Sequence, residues 1–434
     1  MSWDFSTEAE FQAKLDWMNQ FVREEVEPLD VVFPGENYIY DKSHPVHAKI
    51  IRALQAQVKE RGLWACHLGP ELGGVGFGQL KLGLMNEILG RSGWAPTVFG
   101  CQAPDSGNAE ILAHYGTEEQ KRLFLEPLLA SEISSCYSMT EPQAGSDPGQ
   151  FKCRARREGD EWVLQGEKWF SSCLRFARFA IVMAVTDPDV PVYQGTSMFL
   201  VPTDTPGINI LRHTGLGSEA PDEGNHAYVH YDDVRVPAAN LLGGEGQAFA
   251  IAQTRLGGGR IHHAMRTVGM VQRCFDMMCE RALSRQTQGE PLAKKQMVQD
   301  MIAESWIQLH QFRLQVLHAA WTIDNVGGAQ ARLEIAGVKV ALPRVYRDVA
   351  TRTIQVHGSI GVSNEMPLTG MVMASLALGL ADGPTEVHKI TVARQILKTY
   401  HPHEGLFPRE HLPARREAAM RKFGDVLEHM VANL

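Results

Sequence analysis

A single carboxylate near the end of the chain, Asp382, stands in the sequence "LALGLADGPTEVHKITVARQIL" between an apolar run and a Gly-Pro step. Val387, Ile390 and Leu397 then recur at helical spacing, so the step begins a helix. Aspartate before such a step is a good helix N-cap, because its side-chain oxygen accepts hydrogen bonds from the first backbone N–H groups. The local spacing favours a cap, and a chemical role for Asp382 needs support from elsewhere in the chain.

A second polar segment, "CYSMTEPQAGSD" at Cys136–Asp147, lies where the sequence changes from helical periodicity to strand-length runs. Thr140 offers a short hydroxyl group, and Gly145 and Ser146 form a tight turn whose backbone N–H groups can approach an anionic group closely. Taken alone, the segment is equally compatible with a polar surface turn.

The histidines and cysteines do not indicate a metal site. His262 and His263 are adjacent and therefore face apart on a helix, and the pair His401 and His403 is a weak signal. The seven cysteines are odd in number and form no Cys-x-x-Cys, which is typical of reduced thiols in an intracellular protein. We therefore predict no metal.

Composition excludes several classes of function. The net charge is −8, and Lys and Arg are scattered, so we expect no nucleic-acid binding. The start "MSWDFSTEAEFQAKLDW" lacks the features of a signal or transit peptide, and no apolar run approaches membrane-spanning length. The expectation is a cytoplasmic protein without a membrane partner.

The elements that must position these residues fall into three regions, since 434 residues are too many for a single core. Residues 1–135 show helical periodicity, residues 136–245 contain strand-length runs bounded by Pro, Gly and Asp, and residues 246–434 return to helical periodicity. The fold class is therefore multidomain α+β, with an antiparallel β domain in the middle. "GGVGFG" at Gly73–Gly78 is interpreted as a loop, because no strand precedes it.

Several segments, in order along the chain, resemble motifs of the acyl-CoA dehydrogenase family: "CYSMTEPQAGSD", "VRVPAANLLGGEGQAF", "RALSRQTQGEPLAKKQ" and "IQVHGSIGV". "GRIHHAMRT" and "ADGPTEVH" are most similar to the branch of human family members ten and eleven, of which only the dehydrogenase part would be represented. The resemblance implies an N-terminal helical domain, a middle antiparallel β-barrel and a C-terminal four-helix bundle, with FAD bound between them.

The resemblance also implies which residues contact FAD. Met139 and Thr140 are expected to touch the flavin ring, and Ser146 to bridge the cofactor and the CoA part of the substrate. Phe170 stands where the family usually places Trp, which preserves a stacking face but loses an N–H group. The remaining expected contacts near the flavin are Tyr137, Gly145, Ser171, Ser172, Pro384, Thr385 and Glu386.

Another group of residues resembles those that reach the FAD of a neighbouring subunit, which implies a homo-oligomer, a dimer or a tetramer. Arg285 suits a pyrophosphate because its planar guanidinium binds two oxygens at once. Gln288 stands where an aromatic residue is common, which puts an adenine contact in doubt. The other members of the group are Gln296, Gln355, Val356, His357, Gly358 and Ser359.

The resemblance places Asp382 on the catalytic carboxylate of the family and gives it the role of base. The expected reaction is α,β-dehydrogenation of an acyl-CoA in fatty acid β-oxidation, with hydride passing to flavin N5 and electrons then to an electron-transfer flavoprotein. Asp is one methylene shorter than the usual Glu, and Lys389 would favour its anion. The alternative family position for a base, just before Arg260, is occupied by Gly259. Expected substrate contacts are Ser146, Gly257, Gly259, Arg260 and Gly383.

Two alternatives remain open. A flavin oxidase of the same fold would use Asp382 on a non-CoA substrate, as nitroalkane oxidase does. A non-catalytic FAD-binding relative would associate with nucleic acid, although the acidic charge and the presence of Asp382 argue against this. The sequence does not indicate the length, branching or hydroxylation of the acyl chain.

Overall fold

The computed structural model describes residues 6–217, 219–220 and 222–431 of the chain. The chain divides into two compact units, Met1–Lys389 and Ile390–Leu434. The first unit contains the elements that position the candidate site, and they are described in chain order.

The first region is helical, as the periodicity predicted. Phe11, Leu15 and Met18 recur at helical spacing on α1 and are buried, so this stripe packs into the core. Helices α1–α9 are Ala9–Phe21, Glu27–Val32, Glu36–Tyr40, Arg52–Glu60, Gln79–Leu89, Ala95–Val98, Asp105–Tyr115, Glu118–Gln120 and Glu126–Leu129. Short π-helical turns adjoin some of them, at Val22–Val26, His47–Ile51 and Lys121–Leu125.

The middle region forms a sheet of eight strands within the described residues. Strands β1–β8 are Ser134–Ser138, Arg154–Glu158, Glu161–Ser172, Ala177–Val185, Thr196–Pro202, Ile208–Thr214, His226–Pro237 and Leu241–Leu242. Their hydrogen-bonded order is β6-β7-β3-β2-β4-β5-β8, and β1 pairs with β4 outside this path. Strand β4 is apolar along almost its whole length because it lies in the interior of the sheet, with both of its faces covered.

The prediction of an antiparallel sheet is wrong for two of the pairings. Strand β1 pairs with β4 in parallel over Ser134–Ser138, and Arg154 of β2 pairs with Val185 of β4 in parallel. The remaining pairings within this sheet are antiparallel. The order of the described strands also runs from β6 to β8 without pairing these two ends, so closure into a barrel is not confirmed.

The third region returns to helices. Helices α10–α14 are Ala248–Ser284, Gln296–Val326, Arg332–His357, Leu368–Leu380 and Thr385–Leu397, and a hairpin of β9 and β10, Gln286–Thr287 and Glu290–Pro291, joins α10 to α11. Helices α10 to α13 pack together as the predicted four-helix bundle.

The bundle shares one core with the N-terminal helices, to which Met85, Met265 and Phe312 contribute. Helices α5 and α10 touch backbone to backbone, since a Cβ atom on Gly269 would stand 2.0 Å from the Glu87 carbonyl oxygen. Only glycine allows this crossing, and the crossing fixes α10 beside the cavity described below.

The second unit contains the end of α14 and helix α15, Leu412–Val431, whose described side chains are mostly exposed. Over the part of the chain that the structure describes, we find no helix with the length and apolar character needed to span a bilayer.

Candidate active site

A cavity of about 210 Å³ lies where α7, α10, the end of β3 and the turn before α14 meet. Three residues predicted from separate sequence motifs line it: Ser172, Gly259 and Asp382. The sequence motifs thus converge on one site. Residues that were not predicted also line it, among them Glu110, Arg255 and His263.

The turn that carries Asp382 is held by its backbone. Asp382 and the following Gly383 have φ angles of 55° and 98°, which turn the chain sharply before the helix. Arg260 Nε donates to the Asp382 carbonyl oxygen at 3.0 Å, and His388 Nε2 lies 3.4 Å from the same oxygen. Helix α14 begins only at Thr385, so Asp382 lies too early in the chain to be its N-cap. The position of the helix start therefore favours a role in the cavity over a cap.

The Asp382 carboxylate packs against one face of α10. Its Oδ2 atom lies 3.4 Å from His263 Nε2, and a Cβ atom on Gly259 would stand 3.1 Å from the same oxygen. Burial alone would raise the pKa of Asp382, but the contact with His263 and the charges of Arg255 and Lys339 outweigh it and hold the pKa well below its usual range. Asp382 is therefore ionised at neutral pH and can accept a proton.

The lysine that helps to lower the pKa of Asp382 is Lys339, not Lys389 as the sequence suggested. Lys389 is exposed and is not among the groups that lower the pKa of Asp382. Lys339 on α12 is buried, and its ammonium group donates to the Leu378 carbonyl oxygen. Burial lowers the pKa of Lys339 to about 8, against the opposing charge of Asp382. Lys339 thus supplies most of a positive charge from inside the bundle at neutral pH.

A second carboxylate, Glu110 on α7, faces the same stretch of α10. A Cβ atom on Gly258 would stand 3.0 Å from Glu110 Oε2, so adjacent glycines make room for the two acids. Burial raises the pKa of Glu110 to about 7, and the charge of Arg255 opposes the rise. The cavity therefore holds one ionised carboxylate and one that is partly protonated at neutral pH.

Arg255 connects the two acids with strand β1. Its Nε atom donates to Asn108 Oδ1 at 2.9 Å, and its guanidinium carbon lies 3.9 Å from the centre of the Tyr137 ring. Such a stacked cation is attracted by the face of the ring. Tyr137, predicted to lie near a flavin, is thereby linked to the charges around Asp382.

The inner wall of the cavity carries two histidines, His67 and His262. Both nitrogens of His67, and Nε2 of His262, have no partner at hydrogen-bonding geometry among the described residues, although the Ser106 backbone lies close to His67. Burial lowers the pKa of His67 to about 4 and holds that of His262 well below its usual value, so both rings are neutral at pH 7. The described residues hold no group of three or more His, Cys, Asp or Glu side chains arranged for a metal ion.

The predicted flavin segments adjoin the cavity at the sheet. Ser172 Oγ lies 2.7 Å from His226 Nδ1, and buried Ser171 bonds Ser138 at 2.7 Å. Phe170 remains 42% exposed, and its backbone takes a φ of 50° that is costly for a bulky residue. Among the other predicted residues, Met139 and Thr140 are half-buried and Gly145 and Ser146 are exposed.

The residues predicted to serve a neighbouring subunit lie elsewhere, and none of those described lines this cavity. Arg285 follows the last residue of α10, and Gln296 is the first residue of α11; both are exposed. At the end of α12, Gln355, Gly358 and Ser359 are exposed, whereas the side chains of Val356 and His357 are buried.

The remaining predicted contacts surround the turn. Thr385 Oγ1 donates to the Gly379 carbonyl oxygen at 3.1 Å, Pro384 is half-buried and Glu386 is exposed. Gly257 has no atom within 4 Å of its Cβ position.

Sequence reasoning missed Glu110, Arg255, His263 and Lys339. Two of them carried a usable signal: Arg255 precedes Gly259 by four residues and His263 follows it by four, so both share its helix face. The other two, Glu110 and Lys339, come from distant segments, whose contacts with the turn no local pattern reports.

Three family models match consecutive parts of the chain. They are the N-terminal, middle and C-terminal domains of acyl-CoA dehydrogenase, over residues 8–132, 136–234 and 246–397.

Individual relatives agree with these matches. The chain is 43% identical over 357 residues to "Acyl-CoA dehydrogenase family member 11" of Rattus norvegicus, which covers 81% of this chain and 45% of that protein. The chain thus spans about half the length of such curated relatives. It is 41% identical over 398 residues to "Probable acyl-CoA dehydrogenase FadE2" of Mycobacterium tuberculosis, which covers 90% of this chain and 92% of the relative.

Solved structures share the fold. A candidate acyl-CoA dehydrogenase from Mycobacterium abscessus is 39% identical, with a TM-score of 0.84 over 92% of this chain and 100% of the other. Butyryl-CoA dehydrogenase from Megasphaera elsdenii is 26% identical, with a TM-score of 0.76 over 91% of this chain and 100% of the other.

Proposed function

The chain belongs to the acyl-CoA dehydrogenase family, and on that basis we propose that it is an FAD-dependent enzyme that converts an acyl-CoA thioester to its trans-2-enoyl-CoA. The observation that carries the proposal is that Asp382 and Ser172, from widely separated motifs, line one cavity. Ser172 belongs to the strand end expected to face the flavin. A thioester bound in the cavity would therefore lie between a carboxylate and the cofactor.

The residues present fit a flat aromatic cofactor. Phe170 is partly exposed, and its backbone lies in the strained left-handed region. Strained backbone of this kind clusters at active sites and ligand-binding sites. Met139 and Thr140 remain accessible beside the sheet. We assign these residues to the flavin ring. FAD, when bound, supplies the acceptor for the hydride that leaves the β carbon.

Asp382 is the base in this proposal. The surrounding positive groups keep it ionised, so it is ready to accept the α proton of the thioester without a prior deprotonation. The half-buried position of its side chain, 19% exposed, limits the water that competes for the carboxylate. Arg260 and His388 contact the backbone carbonyl oxygen of Asp382 rather than its carboxylate. They therefore orient the turn and leave the carboxylate oxygens available for a proton.

We also propose that the active form is a homo-oligomer. Arg285, Gln296 and Gln355 are exposed, and none of them lines the cavity of its own chain within the described residues, which supports contact with a neighbour's cofactor. Large apolar side chains are exposed on α11 and α13, and such surfaces favour association. They include Met297, Trp306, Leu314, Leu376 and Leu380.

The test is flavin reduction by acyl-CoAs of graded chain length under anaerobic conditions. We expect at least one acyl-CoA to bleach the flavin, with the 2-enoyl-CoA as product. Asp382→Asn should keep FAD and the fold but lose bleaching by about a hundredfold or more, the usual consequence of removing a general base. An Asn variant that bleaches at the native rate would exclude Asp382 as the base.

The same preparation separates the alternatives. Bleaching by nitroalkanes and not by any acyl-CoA would replace the proposal with an oxidase. After reduction by acyl-CoA, we propose that electrons pass to an electron-transfer flavoprotein. Rapid reoxidation by oxygen, with no acceleration by that protein, would contradict this acceptor.

A further inference from the structure

A buried ion pair lies beneath the segment that we assign to the flavin. Lys168 Nζ is 2.8 Å from Glu141 Oε1, and the two side chains are 0% and 1% exposed. Neither residue lines the cavity. A buried pair of this kind is costly to desolvate and is weak support for stability, so its retention calls for another explanation.

The hydrogen bonds of the pair tie three parts of the chain together. Besides Glu141, the Lys168 ammonium group donates to the Met139 carbonyl oxygen at 2.8 Å. The Glu141 carboxylate accepts backbone N–H groups of Lys152 at 2.6 Å and Cys153 at 3.1 Å. Strand β3, the loop before β2 and the segment after β1 are thus held by two side chains.

The orientation of one peptide group follows from these bonds. A trans peptide is planar, with its carbonyl and N–H on opposite sides. Because the Met139 carbonyl points at Lys168, the N–H of Thr140 in the same peptide points away from Lys168. The Thr140 carbonyl oxygen accepts the Trp169 N–H at 2.8 Å, so the next peptide is fixed against β3 as well. The segment therefore presents its Thr140 N–H on the side away from the ion pair.

We propose that Lys168 is a positioning residue for FAD: it fixes the Met139–Thr140 peptide in the orientation that receives the flavin ring. This inference rests on the proposed function, because it takes FAD as the ligand of this segment. Lys168 does not touch the cofactor in this arrangement. It acts through the carbonyl of Met139.

The two partners can be separated by substitution. Lys168→Met removes the donor to the Met139 carbonyl oxygen, and combining it with Glu141→Gln removes the unpaired charge while keeping an acceptor oxygen for one of the two N–H groups of Lys152 and Cys153. Glu141→Gln alone keeps the bond from Lys168 to Met139. The matched control is the double variant Arg235→Met with Glu158→Gln, an exposed ion pair of 2.9 Å on the same sheet.

The measurements are the dissociation constant of FAD for the apoprotein, from flavin fluorescence, and the melting temperature of the apoprotein. We expect the Lys168→Met/Glu141→Gln variant to bind FAD about tenfold to a hundredfold more weakly, the range set by losing one hydrogen bond from a charged donor. Glu141→Gln alone and the Arg235/Glu158 control should bind FAD within about threefold of wild type.

The outcomes decide between positioning and plain stabilisation. A Lys168→Met/Glu141→Gln variant with native FAD affinity overturns the proposal, and so does Glu141→Gln if it loses FAD as severely as the double variant. If the double variant does not fold, the single variants decide: Lys168→Met must lose more FAD affinity than Glu141→Gln at a comparable fall in melting temperature. Wild-type protein that binds no FAD overturns both this inference and the proposed function, whereas equal binding by all variants overturns the inference alone.

Discussion

His263 Nε2 lies 3.4 Å from Asp382 Oδ2, and the two residues reach this contact from helix α10 and from the turn before α14. The contact is the strongest of the effects that oppose burial and keep the pKa of the half-buried Asp382 low. Both side chains line the cavity, at 26% and 19% exposure. The ionisation of the proposed base therefore depends on a residue that lies more than a hundred positions away in the sequence.

Replacing His263 should shift the pH dependence of flavin reduction. A base is active when ionised, so its rate is lost as the pH falls through its pKa. His263→Leu removes the donor N–H group, so that burial is opposed less, the pKa of Asp382 rises and the acid limb of the rate should move to higher pH. His263→Gln retains a donor and should move the limb less. Stopped-flow reduction between pH 4 and pH 9 measures this: wild type should show no acid limb in this range, and a Leu variant that shows none either would contradict the prediction.

Gly259→Ala should displace the base without weakening the helix. The added Cβ atom would stand 3.1 Å from Asp382 Oδ2, so the carboxylate must shift. We expect flavin reduction to slow by about tenfold to a hundredfold, while the melting temperature stays level or rises, because Ala is about 1 kcal/mol better than Gly in a helix. Gly370→Ala on α13, with nothing within 4 Å of its Cβ position, is the control. Equal rates for the two variants would show that the packing at Gly259 does not matter.

Glu110 should make the protein less stable as the pH rises. Burial raises its pKa from 4.5 to about 7, so the folded chain binds more protons than the unfolded chain between these values. The free energy of unfolding therefore falls across this window, by an amount on the order of 3 kcal/mol for a shift of this size. Glu110→Gln should be more stable than wild type at pH 8 and equal to it near pH 4.5. Denaturant unfolding measures both, with the exposed Glu304→Gln as control.

Arg285→Ala should weaken cofactor retention and assembly together. Arg285 is exposed, and we expect it to serve the FAD of a neighbouring subunit, so its loss removes a contact that needs two chains. Size-exclusion chromatography with flavin absorbance measures both properties at once. The exposed Arg52→Ala is the control for a lost surface charge. A stable Arg285→Ala monomer with tightly bound FAD would refute the expectation.

The sequence predicted the order of the regions and part of the site. Helical periodicity and strand-length runs report local structure directly, and the motifs around Ser172, Gly259 and Asp382 brought three cavity residues together. The role as base that we propose for Asp382 came from the resemblance to the family, whereas the local spacing alone favours a helix cap.

The sequence did not predict which distant segments pair in the sheet or which charged residues surround Asp382. Alternating apolar residues indicate a strand but not its neighbour, so the parallel pairing of β1 with β4 was missed. The expectation that Lys389 favours the Asp382 anion failed for a related reason. Helical spacing from Asp382 points along α14, whereas the buried lysine comes from the adjacent α12. Tertiary packing, not local pattern, decides which charges surround a buried acid.

Helix α10 is 37 residues long, and Gly257–Gly259 lies within it at the level of the cavity. Each glycine costs a helix about 1 kcal/mol relative to Ala, so the helix is weakest at the point where it meets the two acids. Arg255 and His263 lie just outside this stretch, in firmer turns on either side. Helix α10 is therefore expected to bend more easily at Gly257–Gly259 than in the segments on either side. We expect bending concentrated there to move Arg255 and His263 relative to each other.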